Sequence, residues 1–207
     1  MLVEIPPRPE PCGDARHMID DLVEHGWSQQ NIFLPNDLTL ALAAECRLLA
    51  GRGALKRAGV GRDATLRADI RGDQILWLKA GQSAACDRYL GSMESLRLAL
   101  NRSLYLGLEE YESHFACYAP SASYMKHLDR FRDDDGRTVS VVIYLNEDWL
   151  PGQGGALRLH PHDKCTQDIA PLAGRLVLFL SADMWHEVLP ATRDRLSLAG
   201  WFRRRVS

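Results

Sequence analysis

The chain has 207 residues, 46% hydrophobic and 25% charged, a balance that excludes a disordered, collagen-like or disulfide-knot polypeptide. Its 25 basic and 27 acidic residues give a formal net charge of −2, so the electrostatic footprint of a general DNA or RNA binder is missing. The longest apolar run of consequence, Leu176–Leu180, is far shorter than the roughly 20 residues of a membrane-spanning helix, so no membrane partner is expected.

Residues 1–13 carry four prolines and read as an extended arm without a secretory leader. Five widely spaced cysteines with no CxxC pair then read as reduced thiols of a cytoplasmic protein. Asp14 looks like an N-cap, Met18, Ile19, Leu22 and Val23 form an apolar stripe, and Gly26 supplies a stop, which predicts a short helix. A second helix is expected from an Asn36 cap through Leu38, Leu42, Leu48 and Leu49 to Gly51, followed by a glycine-rich, basic loop to Gly61. Gln74–Lys79 alternates in strand fashion. Ser83 opens the longest helical pattern, with Tyr89, Met93, Leu96, Leu100 and Leu104 at spacings of four, three, four and four.

From about residue 110 the texture changes to short β-favouring runs: Tyr111–Tyr118, Thr138–Leu145, Ala156–His160, Arg175–Leu180 and Leu196–Phe202. Turn clusters such as Asp133–Gly136 and Pro151–Gly155 separate them. The expectation is one α+β domain over 1–207, with a helical part at about 14–105 and a β core at about 110–203. Helices gathered before strands suggest a β-sandwich or jelly roll buttressed on one face by the N-terminal helices.

His127-Leu128-Asp129 is an HxD tripeptide. In an extended segment its first and third side chains point to one side, their Cα atoms roughly 6.6 Å apart, so both can reach one ion. The tripeptide alone is cheap: seven histidines and seventeen aspartates in 207 positions give about 0.6 by chance. His186 adds specificity, since it follows an apolar strand that a jelly roll can return to the same mouth. Two histidines and a carboxylate are the facial triad of non-haem Fe(II) oxygenases, which leaves positions open for cosubstrate and dioxygen. A structural zinc site would be closed by four ligands, and no cysteine here has that spacing. Nine residues on, Arg195 shares a strand face with Ser197, Ala199 and Trp201, and its guanidinium suits the far end of a dicarboxylate. His160 and His162 form a second same-side pair but read as a polar turn, while His17, His25 and His114 read as surface or capping histidines.

Together His127, Asp129, His186 and Arg195 resemble the 2-oxoglutarate-dependent oxygenases, whose fold is a double-stranded β-helix. The segments Arg71–Trp77, Cys117-Tyr118, Tyr124–Asp129, Ile143–Trp149, Gly154–Arg158, His186–Val188 and Trp201-Phe202 are similar to those of prolyl hydroxylases of the animal oxygen-sensing type. The resemblance covers about residues 65–205 and suggests a bacterial member. It implies His127, Asp129 and His186 as iron ligands, and Arg195 and Tyr144 on the distal carboxylate of 2-oxoglutarate. Tyr118, Leu157 and Val188 would lie beside the cosubstrate. Tyr124, Trp77, Asp73, Arg137 and Trp201 would face the peptide, with Trp77 and Trp201 equally readable as core residues. Ala199 stands where the animal family has threonine, and Gly59–Asp69 is expected as a loop that closes over the peptide.

The implied activity is Fe(II)-dependent 4-hydroxylation of a proline in a protein, with 2-oxoglutarate and dioxygen as cosubstrates and ascorbate as reductant. Elongation factor Tu, associated with the bacterial branch, is the expected partner. Two other readings stand beside it: an oxygenase acting on a free amino acid or small molecule, and a non-catalytic sensor of 2-oxoglutarate or iron.

Overall fold

A computed structural model of the chain describes residues 15–59, 67, 70–130, 136–162 and 164–205. The proline-rich arm, Cys12, the Asp14 cap, most of Gly59–Asp69 and the turn at 133–135 lie outside the described residues.

Helix α1 spans Ala15–His25, α2 Asn36–Gly51 and α3 Ala84–Leu104. Met18 and Leu22, one turn apart, bury the face of α1, whereas Val23 sits a further 100° around the axis and is exposed, contrary to the expected stripe. The α1 chain stops at Gly26, whose φ of +74° only glycine adopts cheaply. Helix α2 starts at Asn36 itself, so the cap falls one residue before the expected one. Pro35, in an extended conformation, is the cap residue and no side chain caps the helix; the backbone N–H and hydroxyl of Thr39 both donate to the Pro35 carbonyl, at 2.9 and 3.1 Å. Its buried face runs Leu38, Leu42, Cys46, which turns Leu48 outward. Ser83 caps α3 by accepting from the Cys86 N–H at 3.1 Å, and Tyr89, Met93, Leu96 and Leu100 are fully buried.

Eleven strands follow the described chain: β1 Trp27–Gln30, β2 Lys56–Arg57, β3 Asp73–Trp77, β4 Leu108–Tyr118, β5 Tyr124–His127, β6 Arg137–Tyr144, β7 Leu157–His160, β8 Gln167–Ile169, β9 Leu176–Leu180, β10 Trp185–Val188 and β11 Arg195–Arg204. Seven make one sheet in the order β1-β9-β6-β11-β4-β3-β2 and four make the other, β5-β10-β7-β8. Every strand pair within the two sheets is antiparallel. The larger sheet therefore includes β2, within a stretch whose composition reads as loop, because two residues of Lys56–Arg57 find partners on β3.

Period-two alternation gives the larger sheet two distinct faces. Phe115, Val139, Val141, Ile143, Leu176, Leu178, Leu196, Leu198 and Phe202 pack against the helices. The opposite face looks toward the smaller sheet, and strand register arranges it in rows: Asp73–Tyr118–Arg195, then Ile75–Ala116–Ser197–Tyr144, then Trp77–His114–Ala199–Val142, then Trp201–Ser140–Phe179. Leu157, Leu159, Ile169 and Val188 close it from the smaller sheet. This is the jelly roll, with helices on one side only, and the space between its sheets holds the candidate site.

Candidate metal centre

Two short strands of the smaller sheet fix the imidazoles. His127 ends β5, His186 lies in β10, and the two are register partners. Asp129 follows two residues after His127, and one ligand atom from each of the three side chains falls within 4.8 Å of the others. His127 Nε2 is 3.6 Å from Asp129 Oδ1, and His186 Nε2 is 3.6 Å from Asp129 Oδ2. Among the described residues this is the one histidine, cysteine and carboxylate cluster with such geometry.

Each imidazole is oriented by its other nitrogen. Nδ1 of His127 bonds the Met125 carbonyl at 2.8 Å and Nδ1 of His186 bonds the Met184 carbonyl at 3.0 Å, which makes Nδ1–H the donor and leaves Nε2 as a lone-pair ligand. Ser140 donates to Asp129 Oδ2 at 2.7 Å and is itself within 2.8 Å of the Ser181 hydroxyl. Burial alone would push the Asp129 carboxyl up, but His186, His127 and the Ser140 hydroxyl outweigh it and hold the group well below the usual carboxylate range. Burial pushes His186 down to about 4, against the pull of Asp129. An anionic carboxylate and a neutral imidazole are the forms a divalent cation requires.

A cavity of about 240 Å³ runs from this cluster along the rows of the larger sheet to Arg195. The guanidinium is 1% exposed; its Nε donates to the Gly155 carbonyl at 2.8 Å and its Nη1 to the Ser197 hydroxyl at 3.3 Å. Its carbon lies 5.2 Å from the Tyr118 ring centre and 5.1 Å from that of Tyr144. Nη2 of Arg195 and the hydroxyl of Tyr144 are buried without a hydrogen-bond partner among the described residues. Burial raises the Tyr144 hydroxyl to about 12 despite Arg195 nearby, so it keeps its proton and can donate. Two orphaned donors beside an enclosed cation fit a carboxylate that accepts from both. Gly155 makes this possible: φ is +71°, and a Cβ there would meet Arg195 Cδ at 3.3 Å.

The other residues expected beside the cosubstrate or the peptide also reach the cavity wall. Leu157 and Val188 form an apolar side and Tyr118 the far corner. Tyr124 stacks on His127, ring centres 3.6 Å apart. Asp73 is buried in a two-pronged pair with Arg71, at 2.6 and 2.9 Å, so its carboxylate is engaged inside the protein. Arg137 pairs with Glu112 at 2.9 Å and lies 3.6 Å over the Trp201 ring. Trp201 is nearly buried, while Trp77 is 42% exposed at the rim.

The expectation for His114 is overturned. It is 1% exposed and lines the cavity, because Tyr118, Ala116, His114 and Glu112 alternate inward along β4. That parity is the signal that a polarity-based reading passes over. Ser140, behind Asp129, is likewise a neighbour that no motif announces. His160 turns outward, where Nε2 lies 3.0 Å from Glu187.

Residues 113–203 match the family described as the 2OG-Fe(II) oxygenase superfamily. The chain is 30% identical over 196 residues to Egl nine homolog 1 of Homo sapiens, covering 90% of this chain and 46% of that protein, so it spans about half the length of that relative. A Pseudomonas putida prolyl-4-hydroxylase superposes with a TM-score of 0.88 at 56% identity, over 92% of this chain and 99% of the other. A prolyl hydroxylase from Trichoplax adhaerens, solved in complex with a hypoxia inducible factor oxygen degradation domain peptide fragment, gives 0.85 at 27% identity over 91% and 88%.

Proposed function

Because the chain belongs to the prolyl hydroxylase family of 2-oxoglutarate and Fe(II) oxygenases, we propose that it is an Fe(II)- and 2-oxoglutarate-dependent prolyl 4-hydroxylase acting on a proline within a protein. The observation that carries this reading is one cavity that reaches from the His127, Asp129 and His186 cluster to the buried Arg195, whose open Nη2 and the unpartnered hydroxyl of the neighbouring Tyr144 are two orphaned donors. His127, Asp129 and His186 would hold the iron. Arg195 and Tyr144 would bind the distal carboxylate of 2-oxoglutarate, with the Tyr118 ring against the guanidinium. When bound, iron supplies the oxidative decarboxylation of 2-oxoglutarate to succinate and carbon dioxide, coupled to transfer of one oxygen atom of dioxygen to the prolyl C4.

The protein's own part is positional. Ser140 keeps Asp129 oriented and anionic, Leu157 and Val188 exclude water beside the cosubstrate, and Tyr124 covers one face of His127. Trp201, Arg137 and Trp77 would face the substrate, while Asp73 is held inward by Arg71 in the row of Tyr118 and Arg195. A half-exposed Trp77 above a nearly buried Trp201 supports access by a polypeptide rather than closure around a free amino acid.

Elongation factor Tu is the substrate we favour, on the resemblance to the bacterial branch of the family, and the cytoplasm is the compartment that goes with it. No described helix is long and apolar enough to cross a membrane. Purified factor incubated with the enzyme, Fe(II), 2-oxoglutarate and ascorbate should gain one oxygen atom on a prolyl residue by mass spectrometry. Succinate release without that product removes this substrate; no succinate under any condition removes the hydroxylase.

A further inference from the structure

We propose that His114 and Trp201 form a substrate-positioning pair that hydrogen-bonds the main-chain amides flanking the target proline. The inference rests on the hydroxylase reading and names what its substrate side recognises.

Neither Nδ1 nor Nε2 of His114 has a hydrogen-bond partner among the described residues, and neither does Nε1 of Trp201. Both side chains line the cavity, their rings are stacked with centres 5.5 Å apart at 29°, and Trp77 packs on His114 at 4.9 Å. The position opposite His114 on β11 is Ala199, whose methyl group can satisfy nothing polar. Three buried polar atoms in one patch with no internal partner are costly unless a bound molecule completes them.

The chemistry of that molecule follows from the atoms left open. An uncharged imidazole offers one donor and one acceptor, and an indole offers one donor. Burial keeps the imidazole uncharged, pushing it down to about 3, with Arg71 and Arg137 acting in the same direction and Asp73 and Asp129 opposing. The nearby cations are already engaged, Arg71 with Asp73 and Arg137 with Glu112. A free amino acid would bring a carboxylate and an ammonium into this patch with no available counter-ion, a poor exchange for water. Consecutive peptide units bring uncharged carbonyls and an N–H. A prolyl residue has no N–H of its own, so the donor for the imidazole comes from the residue beside it.

The test uses the iron-loaded enzyme with a library of proline-centred peptides blocked at both ends, and free L-proline as counter-probe. His114→Met removes the polar atoms, His114→Gln keeps one donor and one acceptor, and Trp201→Phe removes only the indole N–H. We expect His114→Met and Trp201→Phe each to raise peptide KM about tenfold, with His114→Gln recovering most of it. The KM for 2-oxoglutarate should rise far less than the peptide KM does. Wild-type peptide KM in both His114→Met and Trp201→Phe overturns the pair while leaving the hydroxylase intact, as does a matching rise in the KM for 2-oxoglutarate. Hydroxylation of L-proline but of no blocked peptide overturns both the pair and the protein substrate. No succinate release, with or without either probe, removes the hydroxylase reading itself, and the pair with it.

Discussion

His127 and His186 face one another as register partners on β5 and β10, ring centres 4.2 Å apart, with each Nδ1 held by the backbone carbonyl two residues earlier in the chain. The two Nε2 lone pairs are thus aimed by backbone, before any ion arrives. Replacing either residue by alanine removes a ligand and leaves the sheet ladder unchanged. In anaerobic titrations with Mn(II) or Co(II), His127→Ala and His186→Ala should lose more than the roughly 10–100-fold that changes behind a ligand produce. Near wild-type affinity in either variant would contradict the assignment of that ligand.

Ser140 tests the layer behind the carboxylate. Its hydroxyl donates to Asp129 Oδ2 and is in turn held by Ser181, so Ser140→Ala should leave three ligands but loosen one of them. Metal affinity should fall about 10–100-fold, with the melting temperature of the metal-free protein little changed. Unaltered metal affinity would show that Asp129 is oriented by its strand connection alone.

Arg195 separates cosubstrate from metal. The side chain is at the other end of the cavity from Asp129, buried, with one N–H pair open. Arg195→Ala should raise the KM for 2-oxoglutarate by about 100-fold, as expected for loss of a charge-assisted pair in a desolvated site, and spare metal binding. Gly155→Ala should act in the same direction more weakly, because the new Cβ, wedged against Trp149 at 3.0 Å and Ala191 at 3.1 Å, also presses on Arg195 Cδ at 3.3 Å. Equal loss of metal in the Arg195 variant would refute its placement at the cosubstrate.

The long elements were legible because their pattern and their environment agree: α3 carries its cap and its buried stripe, and β9 and β11 are apolar runs bounded by turns. The strands that carry the ligands were not. Tyr124–His127 and Trp185–Val188 are four residues each, and β5 has no regular alternation of burial, so periodicity has nothing to register. The side chains that the structure gathers into one cluster were still singled out, since HxD and Arg195 are signals of chemistry rather than of fold. His114 shows the converse failure. As a polar residue between Ser113 and Phe115 it looks like surface, and only its parity with Tyr118, fixed once the strand is paired, turns it inward.

That buried imidazole also gives a pH signature independent of catalysis. His114 titrates near 3 in the folded protein, against about 6.5 in an unfolded chain. Between those values the unfolded chain binds more protons, so acidification draws the equilibrium toward it, and the stability lost is fully restored only above about pH 6.5. His186 and Asp129 also favour unfolding as the pH falls, but both are present in a His114→Met variant and cancel in a comparison. Urea unfolding of the two metal-free proteins should therefore show the variant gaining on the wild type by roughly 3 kcal/mol between pH 7 and pH 4. Parallel stability curves across that interval would mean that His114 is protonated in the folded state, and with it that the patch beside Trp201 carries a charge.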